Sequence, residues 1–410
     1  MADDSGDTPG DGMNPFEGLP MFGDISRMLQ GQGPLNWDAA RQFAIMSATG
    51  GDGGMAGLAG MGGTAPVSTP NIEPSVRLKY GELANIARLH VADVLGIDVP
   101  EIEPSVATPE QWATQTLEAY RPLFTDMATS LGSTDDADAG SDPMAQMMAG
   151  LSKMMAPAMM GMAVGSMVGN LAARAFGVYD LPIPRATPAL VLVPPTIDAF
   201  AAEWDIDLDE MRLWVLGHEL AGLAVFSVDH IAEHLRQLVQ RHVGAFRPDA
   251  SAVTDKLTGM DGDMSDPMAA MQQAFGDPEV LLGAVRSDEQ LEMEPLLDAA
   301  VATVIGVIDW VVDAVAVRVI GGDALQIAEA VRRRRSETSP DDLFVERLLG
   351  IRLGSTQTAR GKSFVQGVVD RAGERGLAPL FSDASAMPTP NEIEAPGLWL
   401  ARVSPELDAT

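Results

Sequence analysis

A mainly α-helical fold, with room for only a few short strands, is what this 410-residue chain predicts. Apolar residues recur at helical spacing through most of the patterned segments. Several of those segments open on a capping signal such as T-P-E-Q at 108–111. The single stretch with strand character is short and broken by proline, which cannot donate to a ladder.

Taken in order, the chain begins with two low-complexity stretches, 1–13 and 50–69, whose Gly and Ser content cannot bury enough apolar surface to offset chain entropy. Segment 1–75 is therefore expected to be largely disordered, apart from a docked helix over 37–46. A helical subdomain follows over 76–131. Leu78, Leu83, Ile86, Leu89, Ala92, Val94 and Leu95 give 76–95 a helical period, and 108–131 reads as one capped helix with Pro109 in its first turn. The run S-T-D-D-A-D-A-G-S-D within 132–143 reads as an acidic linker.

A core over 144–335 comes next. Residues 154–173 carry no charge and place Gly161, Gly165 and Gly169 at G-x-x-x-G spacing. Pro157 and Asn170 interrupt that run, and Ala, Gly and Met dominate it. A buried helix that lets a neighbour approach closely is preferred to a membrane span. Residues 179–195 alternate prolines with branched residues and predict one or two short edge strands. Helices are expected over 197–204, 208–226 and 230–243, then a polar, mobile insertion over 249–276. A long apolar helix over 291–318 and another over 323–335 complete the core. The latter ends in R-R-R-R, which complements the helix dipole and needs no nucleic acid to explain it. The C-terminal segment, 336–410, has helical pieces at 341–349 and 362–376 and a last turn opening at Pro390 and Asn391.

Composition narrows the chemistry. A net charge of −31 repels nucleic acids and anionic lipid surfaces, leaving a peptide, a protein or a neutral ligand as the expected partner. With no cysteine, disulfides, thiolate zinc sites and thiol nucleophiles are excluded together. Five histidines are present: His90, His218, His230, His234 and His242. The first residues are acidic and Gly-rich, without the basic and apolar regions of a secretory signal, so a cytoplasmic location is expected.

The chemically most specific piece is L-W-V-L-G-H-E-L-A-G-L-A-V, residues 213–225. It is the zinc metallopeptidase helix H-E-x-x-H without its second histidine. His218 and Glu219 are present, and Gly222 stands where the second imidazole belongs. An intact motif grips Zn²⁺ with two histidines on one helix face, while the Glu acts as general base on the metal-bound water. A rival, His230-Ile-Ala-Glu233-His234, spells the inverted H-x-x-E-H. It sits among polar residues and reads first as a solvated amphipathic helix. His90 and His242 read as ordinary surface or helix-end residues. No nucleophile elbow and no P-loop is present.

The order of several further pieces resembles a bacterial zincin-like family of zinc-dependent metalloproteases and hydrolases of unknown substrate. These are P-L-N-W-D-A-A-R-Q-F-A (34–44), G-V-Y-D-L-P-I-P (177–184), R-L-W-V-L-G-H-E (212–219), F-R-P-D (246–249), the apolar run 304–315, F-V-E-R-L-L-G-I-R-L (344–353), G-K-S-F-V-Q-G-V-V-D (361–370) and M-P-T-P-N-E-I-E-A-P-G-L-W-L-A-R-V (387–403). The resemblance implies a helical zincin-like fold. It makes His218 the first zinc ligand and Glu219 the catalytic base, with Gly222 at the second ligand. It also places Ile305 at the third, acidic ligand and Asp309 at the acid that orients the first histidine. If that register slips by a turn, Glu292, Glu294 or Asp298 would substitute. Asp309 and Asp313 otherwise read as structural acids.

Two functions follow from this pattern. A catalytic zinc needs three protein ligands and one open position. With Gly222 and Ile305 at ligand positions, the chain is expected to be a non-catalytic family member that binds a partner or serves as a scaffold, with no cofactor. The alternative is a working zinc hydrolase with a rebuilt metal site, drawn from His218, Glu219, His230, His234 and distant acids. The sequence sets no oligomeric state.

Overall fold

The computed structural model describes residues 33–50, 71–132, 143–248, 284–285, 287–336 and 340–404. Nearly all of the expected acidic linker, the polar insertion and both low-complexity stretches lie outside these residues. Within them the fold is mainly α-helical, and its strands are two-residue pieces.

The docked helix is present as α1, Trp37–Ala48, started by Asn36, whose side chain accepts from the Ala39 amide at 3.0 Å. Helix α2, Pro74–Leu95, opens on proline and ends at Gly96 in the left-handed region, φ 68°. Strand β1, Ser105–Val106, precedes α3, Pro109–Ala119, whose Thr108 and Gln111 form a reciprocal capping box. The expected single helix over 108–131 is in fact two. It breaks at Tyr120, because Pro122 carries no amide to continue the ladder, and α4 runs Arg121–Gly132.

Helix α5, Pro143–Ala172, carries the small-residue face. That face is filled by the chain's own α1: a Cβ on Gly161, Gly165 or Gly169 would lie 2.3 to 2.4 Å from the carbonyl oxygens of Asn36, Ala40 and Ala44. Asn36 also donates its amide to the Pro157 carbonyl at 2.9 Å. The glycines thus let two helix backbones approach side by side.

Strand formation over 179–195 is smaller than the alternation suggests. Only β2, Val191–Leu192, forms, parallel to β1 in the register Ser105↔Val191 and Val106↔Leu192. One isolated bridge joins Gly177 to Leu192. Pro182, Pro184 and Pro188 remove the donors a longer strand would need. The remaining loop is pinned by side chains instead, with Trp112 Nε1 donating to the Gly177 carbonyl at 2.9 Å and the Tyr120 hydroxyl to that of Ile183 at 2.8 Å.

Helix α6, Pro194–Glu203, leads into the motif helix α7, Leu208–Phe226, capped by Asp207 on the amides of Asp209 and Glu210. Every residue of α7 from Trp214 to Phe226 is buried, so this helix is surrounded on all sides. Helix α8, Asp229–Gly244, is amphipathic and lies partly on the surface. A second small sheet pairs β3, Arg247–Pro248, antiparallel with β4, Ala284–Val285.

Helix α9, Asp288–Val319, is the axis of the molecule and touches α2, α7, α8 and the C-terminal helices. It is long and apolar enough to cross a bilayer, and 67% of its most apolar window is buried inside the protein. After α10, Ala324–Ser336, and α11, Pro340–Leu349, helix α12, Ser355–Ala372, packs along α9. Short turns α13, Ala378–Ser382, and α14, Pro390–Glu394, precede α15, Pro396–Val403. Trp399 is fully buried there against Phe364 of α12.

Candidate functional site

His218 and Glu219 lie at the middle of α7, both buried. Glu219 accepts from two backbone amides: Val178 at 2.6 Å on Oε2, and Tyr179 at 3.1 and 3.2 Å on the two oxygens. The approach of the 177–184 loop is close enough to require Gly177, since a Cβ there would fall 2.3 Å from the Glu219 carboxyl carbon. Asp180 folds back beneath this turn and accepts from the Phe176 and Gly177 amides. Burial, with the Asp180 charge adding to it, pushes the Glu219 carboxyl above the usual range against the opposing pull of His218 and the Tyr179 amide.

His218 is held from both sides. Its ring stacks on Trp214, one turn earlier, at 5.8 Å between centroids. Nδ1 faces Glu219 Oε1 at 3.2 Å, and Nε2 faces Arg335 Nη2 at 3.3 Å. A guanidinium only donates, so Nε2 must accept, and the tautomer that serves both neighbours carries its hydrogen on Nδ1. Arg335 Nη1 in turn donates to both oxygens of Asp309, at 2.9 and 3.0 Å. Burial works against the Arg335 charge, but Asp309, with Asp180 and Asp313 beyond it, more than offsets this and raises its pKa.

His218, Ile305 and Asp309 line one cavity, together with Tyr179, Asp180 and Arg335. Asp309 reaches His218 through Arg335, where the family resemblance implied a direct contact. At Gly222 the space for a side chain is filled: a Cβ would lie 2.5 Å from Tyr179 Cγ, and the Tyr179 ring stacks on Phe226 at 5.7 Å. Burial, with the Glu219 charge next, pushes the Tyr179 hydroxyl pKa up.

The substitute acids are elsewhere. Glu294 and Asp298 pair with Arg352, and Glu292 is exposed. Asp313 pairs with Lys362 of α12. In the inverted motif, His230 Nε2 lies 2.9 Å from the Leu380 carbonyl, and Glu233 pairs with Arg236 and Gln237. His234 is partly buried, and that burial lowers its pKa. His90 is partly exposed on α2. His242 ends α8 as expected but is buried rather than superficial, edge-on to Phe246.

Sequence reasoning missed Arg334, Arg335 and Tyr179. The R-R-R-R run divides: Arg332 and Arg333 pair with Glu329 at the surface, as a dipole-complementing last turn would, while Arg334 and Arg335 turn into the cavity. The signal was the helical period. The buried residues Ile327, Ala328 and Val331 put positions 334 and 335 on the same face, seven and four residues on.

Residues 35–400 match the family model of zincin-like metallopeptidases. The chain belongs to that family. A search of the curated proteins found no match for this zincin-like chain. Among solved structures it is similar to a protein from Chloroflexus aurantiacus described as "a putative hydrolase with a novel fold". The TM-score is 0.59 at 20% identity, over 92% of this chain and 99% of the other. That likeness concerns the fold. Membership implies zinc, and the residues at the motif do not fit it. Among the described residues no three of His, Asp and Glu converge to hold a metal ion. A cation already faces the Nε2 lone pair that zinc would take.

Proposed function

We propose that this zincin-like chain is a non-catalytic member of its family, in which the Arg335 guanidinium stands in the place of the metal, and that it acts by binding a peptide or protein partner, or as a scaffold. The observation that carries this reading is the contact of Arg335 with His218 Nε2 at 3.3 Å. Arginine cannot shed its proton within a protein. A Zn²⁺ ion about 4 Å from it would meet repulsion on the order of 8 kcal/mol at an effective dielectric of about 20. Glu219 supports the same reading. A general base must reach the proton it removes, and here both carboxylate oxygens are taken by the Val178 and Tyr179 amides and His218.

A cytoplasmic, peptide- or protein-directed role is consistent with a charge of −31 and the lack of cysteine. The test is elemental analysis of full-length protein purified without chelator. Folded protein carrying far less than one zinc per chain supports the proposal. Near-stoichiometric zinc that is lost in His218→Ala would overturn it in favour of a rebuilt hydrolase site.

A further inference from the structure

The cavity beside His218 measures about 110 Å³, several times the roughly 10–15 Å³ that one water needs by the same kind of measure. Leu171, Ile305, Ile308, Val331 and Leu353 make much of its wall apolar. Its charged lining residues are Arg174, Arg334, Arg335, Asp180 and Asp309, inside a strongly acidic protein. Both acids are engaged, Asp309 by Arg335 and Asp180 by the Phe176 and Gly177 amides.

Arg334 is held differently from Arg335. Among the described residues no hydrogen bond or ion pair engages its guanidinium, which lies over Phe176 at 3.8 Å and Phe200 at 5.4 Å. Stacking holds a guanidinium by its face and leaves the N–H donors along its edge, the geometry that takes a carboxylate with two parallel hydrogen bonds. Burial, joined by repulsion from Arg174 and Arg335, pushes its pKa down to about 10 against the pull of Asp180 and Glu203. A bound anion would offset part of that penalty.

We propose that the cavity is a binding site for a small organic monocarboxylate with a branched aliphatic tail, its carboxylate on Arg334 and its tail on Ile305, Ile308 and Val331. One guanidinium edge on Arg334 matches one carboxylate, and the apolar wall favours a hydrocarbon tail over a second polar group. The inference rests on the non-catalytic reading, because a zinc ion at His218 would itself take the carboxylate. The same chemistry is offered by a free branched-chain acid and by the carboxyl end of a peptide.

Calorimetric titration of the full chain tests this with 3-methylbutanoate as the free acid, N-acetyl-leucine as the chain end and 3-methylbutanamide as the uncharged control. Either acid, or both, should bind at least about tenfold more tightly than the amide, the loss expected for a charge-assisted pair. The tighter of the two acids identifies the natural source. Arg334→Gln should lose that preference, and Arg332→Gln, on the exposed side of the same helix, should keep it. Equal binding of acid and amide, or no binding of any acid, overturns the inference, and this comparison does not depend on the variant folding. Titrations are repeated after dialysis against chelator. Acids that bind only untreated protein are metal ligands, which sinks the non-catalytic reading as well, whereas acids that bind neither sample sink this inference alone.

Discussion

Arg335 joins His218 to Asp309: its Nη2 lies 3.3 Å from the imidazole Nε2, and its Nη1 lies 2.9 and 3.0 Å from the two carboxylate oxygens. A monovalent guanidinium with fixed donors thus sits between an imidazole and an acid. It brings its own carbon chain into the cavity wall. Removing it leaves an acid behind.

Arg335→Met should therefore destabilise the protein by about 2–4 kcal/mol, at and below the lower end of the roughly 3–5 kcal/mol for breaking a fully buried pair. The side chains of Arg335 and Asp309 retain 23% and 12% exposure, so water screens the orphaned carboxylate in part. Arg335→Met with Asp309→Leu should recover much of the loss. Urea unfolding monitored by circular dichroism checks both, and a loss below about 1 kcal/mol for the single variant would mean the bridge contributes no more than a surface pair.

Gly222→Ala sets two effects of opposite sign against each other. Alanine gains roughly 1 kcal/mol of helix propensity over glycine, but its Cβ would meet the Tyr179 ring at 2.5 Å. Overpacking of that kind costs about 1–3 kcal/mol, so a net loss is expected. In a Tyr179→Ala background the same substitution should become neutral or stabilising. A double-mutant cycle reads the coupling, and a coupling near zero would remove Tyr179 from its role as the filler of this position.

Zinc binding should not appear on introducing two ligands alone. Gly222→His with Ile305→Glu is expected to stay metal-free, because Tyr179 and Arg335 still occupy the space and the charge position. Adding Tyr179→Ala and Arg335→Ala should then admit Zn²⁺, read by isothermal titration. Zinc uptake by the first pair alone would show that neither residue excludes the metal. Absence of uptake in a folded quadruple variant would displace Ile305 from the third position.

How much of this was legible in the sequence differs between backbone and site. The helices announce themselves through apolar period and caps: the period over 208–226 coincides with α7, and the capping box at Thr108 marks the start of α3. The break at Tyr120 has no distinct signal, since a proline in the first turn of a new helix looks the same as one inside a long one. The β1–β2 pair joins segments far apart in the chain, and no local pattern reports such a partner. At the site, His218 and Glu219 stood out by motif. Arg335 and Tyr179 did not, because their meaning depends on which helix and loop fold over α7. Face periodicity along α10 was the available clue.

The glycine face of α5 carries a prediction of its own. Gly165→Val should push α1 away, because its Cβ would lie 2.3 Å from the Ala40 carbonyl, a backbone atom that cannot step aside. Limited trypsin digestion should then cut at Arg41 faster than in wild type, by about tenfold or more if docking is weakened by at least 1.4 kcal/mol. Unchanged cleavage would mean α1 is held by other contacts.

Acid response should centre on the C-terminal turn. Glu392 is held below the usual carboxylate range mainly by the Arg402 guanidinium, with burial opposing and Thr389 assisting. Its folded pKa is depressed, so its contribution is complete above the unfolded value near 4.5 and disappears as pH falls through the folded one. Glu392→Gln should cost about 1–3 kcal/mol at neutral pH, as for a charge-assisted hydrogen bond. Its disadvantage relative to wild type should shrink on going to pH about 3. A pH-independent difference in urea midpoints would trace the loss to shape and not to charge.

Helix α9 leaves the ribosome before its covering helix α12 exists. A segment apolar enough to cross a bilayer must wait for residues 355–372, a few seconds at a synthesis rate of about 5–20 residues per second. During that interval the nascent chain offers chaperones, or a translocation machinery, a surface that the finished protein hides. Truncation ahead of Ser355 would make that exposure permanent.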